Sequence, residues 1–155
     1  MKQSMRGGFM LEIFFQKNAY HAIIDYALET CDSFSVVLEK DDTIHSQYVD
    51  QAFYDVISGF VVEKKSIGTH PYSGTEFQDS DFIRIENVKE LKSLFFKGTT
   101  LEDWNGETLP QELCFYRNDQ IWFWYVSHEK LAFLRNETSA DIDFLEKNKI
   151  EYFKF

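Results

Sequence analysis

Residues 113–134 read LCFYRNDQIWFWYVSHEKLAFL. Three apolar runs, Leu113 to Tyr116, Ile121 to Val126 and Leu131 to Leu134, are separated by the polar breaks RNDQ and SHEK. Short runs rich in aromatic and β-branched residues, joined by tight polar turns, describe an antiparallel meander. In the middle run Ile121, Phe123 and Tyr125 alternate with Trp122, Trp124 and Val126. Alternation sends the two sets to opposite faces of the sheet. Both sets are apolar, so this strand is expected at the centre of a sheet with helices on both faces.

Downstream, Thr138 or Ser139 can cap a helix through Lys147 with Ile142 and Leu145 inward, and 151–155 reads as a terminal strand. Upstream, Leu11 to Phe15 is a short apolar strand, and Asn18 can cap a helix through about Cys31. A strand follows at Phe34 to Leu38. Asp41-Asp42-Thr43 then offers capping oxygens to a segment in which Ile44, Tyr48, Val49, Ala52, Phe53, Val56 and Ile57 fall at helical spacing, with Gly59 at its end. A hairpin over 52–64 around Ser58-Gly59 is the rival reading of that segment. Residues 60–65 read as a strand, and Ser66 to Asp81 as a long non-periodic loop carrying Gly68, Pro71 and Gly74. Phe82 to Glu86 alternates as a strand. Asn87, with Glu90 three residues on, opens a helix through Phe96 that Gly98 stops, and Thr100 with Asp103 forms a turn before Trp104.

The order is β-α-β-α-β, loop, β-α, meander, helix, strand. It places the chain in the α+β class, with a mixed, mostly antiparallel sheet and packed helices; tight turns between consecutive strands argue against a doubly wound parallel sheet. No repeat or linker divides the chain, so a flexible N-terminal tail over 1–9 and a single domain over 10–155 are expected.

The 155 residues include 16 Phe, 8 Tyr and 3 Trp, too much apolar surface for a disordered chain. Two cysteines, Cys31 and Cys114, are too few for a disulfide scaffold. No run approaches the roughly 18 apolar residues of a membrane span, and the stretch from Met10 to Phe15 is too short for a secretory signal core, so a cytoplasmic protein is expected. Sixteen basic against 26 acidic residues give a net charge of −10. Such a surface repels phosphate backbones and anionic lipids, so neither nucleic acid nor membrane is an expected partner.

Phosphate-binding loops and the G-x-S-x-G elbow are absent, and no C-x-x-C or H-x-x-x-H supplies a metal site, so neither cofactor nor metal is expected. His21 with Asp25, and His128 with Glu129, are too few ligands for zinc. Cys114 lies between apolar neighbours, and Cys31 sits near a helix C-terminus, where the dipole disfavours a thiolate. Two candidate sites remain. The loop Ser66 to Asp81 carries His70 and Tyr72 among hydroxyls, with Glu76 and Asp79 following; a histidine beside carboxylates suits acid–base chemistry in a small hydrolase or ligand-binding domain. The aromatics Trp104, Trp122 and Trp124 would form a binding platform if their sheet face is open, ringed by acids such as Glu102, Asp103, Glu107 and Glu112.

In size and charge the chain resembles bacterial immunity proteins, which neutralise basic toxins; the resemblance rests on no motif and implies a non-enzymatic, inhibitor-like domain that engages a basic protein. Self-association through a spare aromatic surface is a third possibility.

Overall fold

The computed structural model describes residues 10–14, 19–44 and 46–154. They form one sheet of eight strands in which every pairing is antiparallel: β1 (Met10–Phe14), β2 (Ser33–Glu39), β3 (Val61–Thr69), β4 (Glu76–Glu86), β5 (Gln111–Arg117), β6 (Gln120–Val126), β7 (Leu131–Arg135) and β8 (Glu151–Lys154). The order across the sheet is β3-β4-β2-β5-β6-β7-β1-β8, with the meander β5-β6-β7 at its middle. Four α-helices accompany it among the described residues: α1 (Tyr20–Thr30), α2 (Gln51–Ile57), α3 (Lys92–Phe95) and α4 (Ser139–Lys147). The architecture is α+β in the broad sense, with the sheet dominant.

All four helices contribute to one core. Tyr20, Ile23, Ile24 and Ala27 of α1, Phe53 and Ile57 of α2, Leu94 and Phe95 of α3 and Leu145 of α4 pack with Leu11, Phe34, Val36, Ile83, Ile85, Phe115, Phe123 and Leu134 of the sheet. The second face carries a smaller cluster of Phe82, Cys114, Tyr116, Ile121, Trp124 and Val126, to which no described helix contributes. The expectation of helices on both faces is therefore corrected. Described side chains also lie over the rings of this face: the Arg84 guanidinium is 4.4 Å from the Tyr116 ring centroid, Arg135 is 5.7 Å from that of Trp124, and Phe133 stacks on Trp124 at 5.1 Å. Long cationic side chains lay their methylenes on aromatic surface while their heads reach water.

The meander departs from strict alternation in one place. Phe115 pairs with Phe123 and Tyr116 with Ile121, which leaves Trp122 as an extra residue, a β-bulge. Trp122 thereby joins Phe123 and Tyr125 in the helix-side core, while Trp124 belongs to the opposite face. The two indoles expected to share a face do not.

Three further corrections concern boundaries. The helix expected from Ile44 begins only at Gln51, capped by Asp50, whose side chain accepts from the Phe53 N–H at 3.0 Å. Residues 41–44 and 46–49 instead make a tight excursion, held by Asp41 N–H to Gln47 C=O and Val49 N–H to Glu39 C=O, both at 2.8 Å. Gly59 lies in a 3-10 turn, Ser58–Phe60, that leads into β3, and the rival hairpin there is not formed. Asn87 caps no long helix: its amide donates to the Leu28 and Cys31 carbonyls at 2.9 and 2.7 Å, tying β4 to the end of α1. Only a 3-10 turn, Lys89–Leu91, and the four residues of α3 follow. The Asn18 cap and the last residue of the terminal strand, Phe155, lie outside the described residues, as does the N-terminal tail.

The long loop is also shorter than its sequence suggests. β3 runs on to Thr69 and β4 starts at Glu76, so 66–81 is the end of an antiparallel hairpin with a six-residue tip. β3 is one of the sheet's two edge strands and most of its side chains meet solvent on both faces, which removes the apolar period that marks a half-buried strand.

α4 is fastened to the meander by a buried ion pair. Thr138 and Asp141 form a reciprocal capping box at the start of α4. The Asp141 carboxylate, 1% exposed, also accepts two bonds from the Arg117 guanidinium at 2.8 and 3.0 Å, one from Tyr26 Oη at 2.6 Å and one from Trp122 Nε1 at 3.0 Å. Burial by itself would raise this carboxyl's pKa; the bonds from Arg117, Tyr26 and the Thr138 N–H outweigh it and hold the pKa below the usual carboxylate range. Replacing Asp141 with Ala leaves the buried Trp122 N–H and the partly exposed Arg117 without their shared acceptor and is expected to cost about 3 kcal/mol. Urea denaturation should show this, with Glu151→Ala on the exposed β8 within about 0.5 kcal/mol of wild type. A loss for Asp141→Ala as small as that of Glu151→Ala would refute the role.

Candidate acidic cleft

A concavity of about 960 Å³ lies at one end of the sheet, where β2 ends, β4 begins and the β6–β7 turn approaches. The carboxylate-bearing residues Glu39, Asp41, Asp42, Glu76 and Glu129 line it, against Lys40 and His128. Local folding places them. Asp41 accepts from the Thr43 N–H and hydroxyl at 2.8 and 2.7 Å, which turns the chain back on itself and lowers the Asp41 pKa. Glu39 accepts from the Gln111 side-chain amide across the β2–β5 pair. Lys40 reaches out of the cleft, its ammonium 3.6 Å from Asp81. His128 lies 3.7 Å from Glu129 in the β6–β7 turn, both exposed, and no further metal-binding side chain joins them among the described residues.

The hairpin tip forms one wall through Ser73, Gly74 and Thr75. His70 N–H donates to the Thr75 carbonyl at 2.8 Å, and Gly74, at φ +75°, closes the turn in a backbone region that suits glycine. Behind this wall sits Glu112, 1% exposed. Its carboxylate accepts from Ser73 Oγ at 2.6 Å, Thr75 Oγ1 at 3.4 Å and the Ser127 N–H at 2.8 Å. Its own N–H donates to Ser127 Oγ at 2.9 Å, and that hydroxyl in turn donates to the Trp104 carbonyl at 2.7 Å. Glu112 occupies a bulge of β5 with φ +59°, a conformation that is uncommon for a side-chain-bearing residue. A buried carboxylate at a left-handed bulge thus orients the tip hydroxyls that face the cleft. Its signal in the sequence was a single acid before the apolar run LCFY, read only as part of an acidic rim.

The residues named from sequence scatter. Trp104 is fully buried, its Nε1 donating to Tyr20 Oη at 2.9 Å, and Trp122 and Trp124 are 1% and 7% exposed. The indoles are interior, so the expected aromatic platform is not presented. Asp103 is spent on capping, accepting from the Thr99 and Thr100 N–H groups at 2.7 and 3.1 Å. Glu102 is exposed, 3.7 Å from Lys130. Tyr72 is half-exposed on the tip, its ring 6.0 Å from that of Tyr116.

Of the acid–base group, only Glu76 lines the cleft. Asp79 is exposed at the start of β4, and its carbonyl accepts from the Lys40 N–H at 3.0 Å. His70 is 2% exposed, and its Nδ1 accepts from the Tyr72 and Ser73 amides, each at 3.2 Å. The ring proton therefore sits on Nε2, which has no hydrogen-bond partner among the described residues. No hydrogen bond or ion pair joins His70 to Glu76 or Asp79, so the pairing expected for proton transfer is not assembled. His21 stacks on Phe96 at 4.9 Å while Asp25 pairs with Lys92 at 3.6 Å, and no group of three metal-binding side chains exists among the described residues. Burial pushes the Cys31 thiol up to about 11 and raises that of Cys114 as well, so neither is an activated nucleophile.

Burial, and secondarily the Lys65 charge, lowers the His70 pKa from 6.5 to about 4. Unfolded protein takes up this proton below pH 6.5 while the folded state refuses it until about pH 4, so stability falls as acid is added across that window. The full effect is about 3 kcal/mol. His70→Gln keeps an acceptor for the two amides and removes the titration. Chemical denaturation at pH 7 and pH 4.5 should therefore show a smaller acid loss in the variant, and equal losses would contradict the buried, neutral imidazole.

Comparison with protein-family models, curated proteins and solved structures finds no match to this chain.

Proposed function

We propose that the protein is a non-enzymatic binding domain, inhibitor-like in the manner of immunity proteins, whose acidic cleft takes a cationic segment of a basic partner protein. The observation that carries this reading is the cleft lining: five acidic residues converge on one concave surface, and its single lysine leans away toward Asp81. Concave walls of low dielectric focus the field of such groups, and a net charge of −10 extends it outward, which favours fast encounter with a positive partner. Within the cleft, the Ser73 and Thr75 hydroxyl oxygens, the exposed Val49 and the half-buried Phe77 offer hydrogen bonds and apolar contact around the salt links. The recognition surface differs from the one built on Trp104, Trp122 and Trp124, because those rings serve the core.

The small-hydrolase alternative has less support. Its candidate base, His70, is enclosed and already holds two backbone amides on Nδ1. No helix among the described residues is long and apolar enough to cross a membrane. A cytoplasmic setting remains part of the proposal and rests on the sequence.

An oligolysine peptide labelled for fluorescence anisotropy tests the reading. Binding at low salt should weaken about tenfold or more as ionic strength rises past the point where the Debye length falls below about 8 Å. Asp42→Lys with Glu76→Lys, both exposed in the cleft, should abolish it, while Glu29→Lys with Glu151→Lys, exposed elsewhere and equal in charge change, should leave most of it. Equal loss in the two double variants would mean that overall charge acts and the cleft does not, which overturns the proposal.

A further inference from the structure

Beyond Lys40, away from the acidic cleft, a second hollow of about 400 Å³ opens at the sheet edge between β3, β4 and α2. Its character is opposite. In the β3–β4 register Lys64 pairs with Ile83 and Ser66 with Asp81, and Ile83 belongs to the helix-side core, so Lys64, Ser66 and Asp81 point toward α2. α2 contributes Tyr54, and an isolated bridge between Lys40 and Tyr48 brings the second tyrosine beneath.

The charges in this hollow are unevenly satisfied. Asp81, 3% exposed, accepts from Tyr48 Oη at 2.5 Å and Ser66 Oγ at 3.2 Å and has the Lys40 ammonium at 3.6 Å. Its negative charge is thus already bonded and matched by one cation. Lys65 pairs with Glu63 at 3.5 Å, an exposed pair of small consequence. Lys64 has no carboxylate within 4.0 Å among the described residues; its ammonium lies over the Tyr48 and Tyr54 rings, 5.4 and 5.1 Å from their centroids. The rings hold Lys64 in place without neutralising it. Lys65, in register with Phe82, turns its ammonium over that ring on the opposite face, so Lys40 and Lys64 around one carboxylate leave the hollow one net positive charge, that of Lys64, on a chain of net charge −10. Long-range attraction of an anion is absent in such a molecule, so any selectivity for one must come from short-range, concave geometry of this kind.

We infer that this hollow binds an oxyanion group, a phosphate or carboxylate of a small molecule, with Lys64 as the principal contact. The volume lies near the lower end of the range of small-ligand pockets, roughly 300–1,000 Å³. The Gln51 amide donates one N–H to Asp55 at 2.9 Å and has a second for such a group, while the Ser66 hydroxyl is committed to Asp81. Lys40 has a double function, since it cancels Asp81 and separates this positive hollow from the acidic cleft that it also lines. The inference stands apart from the cleft reading: it uses different residues and a ligand of opposite sign.

Titration of the full chain with sodium pyrophosphate and, separately, sodium citrate, followed by amide chemical shifts, distinguishes the two oxyanion sources. Saturable shifts confined to residues of β3, β4 and the 46–51 segment are expected for at least one probe. Lys64→Gln should weaken binding about tenfold and Lys64→Arg should restore it, as expected for a charge-assisted contact. Lys40→Gln, which leaves the Asp81 charge unmatched, should weaken it at least as much. Lys147→Gln, on the exposed end of α4, should change nothing. Well-dispersed spectra of each variant confirm folding independently of binding. Shifts spread evenly over the lysines, no saturation with either probe, or an affinity unaltered by Lys64→Gln would overturn the inference.

Discussion

The bonds converging on Asp141 are the constraint from which the rest of the arrangement follows. One carboxylate at the third position of α4 accepts from Arg117 on β5, Trp122 on β6 and Tyr26 on α1. Three elements distant in sequence are thereby fixed to one point, and in a buried setting each donor left unmatched would carry a large desolvation cost. The Arg117 guanidinium also lies 4.1 Å from the Trp122 ring centroid, so the indole is held through both its face and its N–H. The bulge that turns Trp122 toward the helices is what makes this possible. Without the extra residue, strict alternation would point that indole to the other face and leave Asp141 one donor short.

From this anchoring comes a division of labour between the two faces. The helix side holds the large core, including Trp104 and Trp122. The second face carries a narrower apolar strip, and Arg84, Arg135 and Lys65 lay their cationic groups over its rings. The acidic cleft is accordingly lined by ends of strands and turns, not by the aromatic interior. The two hollows differ in charge: an acidic cleft and a hollow holding Lys64 meet at Lys40, whose contact with Asp81 sets the boundary between them. Both sites collect groups from the β2–α2 segment and the β3–β4 hairpin, the two parts of the chain whose sequence periodicity was weakest or most misleading.

That weakness has a physical origin. The strands of the meander, the helix after Thr138 and the short turn before Trp104 were legible because burial and capping impose residue types at regular spacing. β3 was partly hidden because an edge strand exposed on both faces needs no apolar alternation. The segment from Ile44 had helical spacing, yet backbone bonds between 39–41 and 47–49 satisfied its polar groups locally, and the helix waited for the Asp50 cap. Asn87 had the composition of a helix start, and its amide was claimed by carbonyls at the end of α1.

By itself, the sequence determined the α+β class, the central meander, most element positions and the acidic balance, because these follow from local periodicity and from composition. Tertiary structure alone decided which face each indole occupies, since one bulged residue reverses a strand's inside and outside. It also decided that His70 is sealed away from Glu76 and Asp79, that Glu112 backs the hairpin tip, and that Lys64 lacks the carboxylate its lysine neighbours possess. Those facts depend on pairs of residues brought together from far apart in the chain, and no spacing along the chain records such proximity.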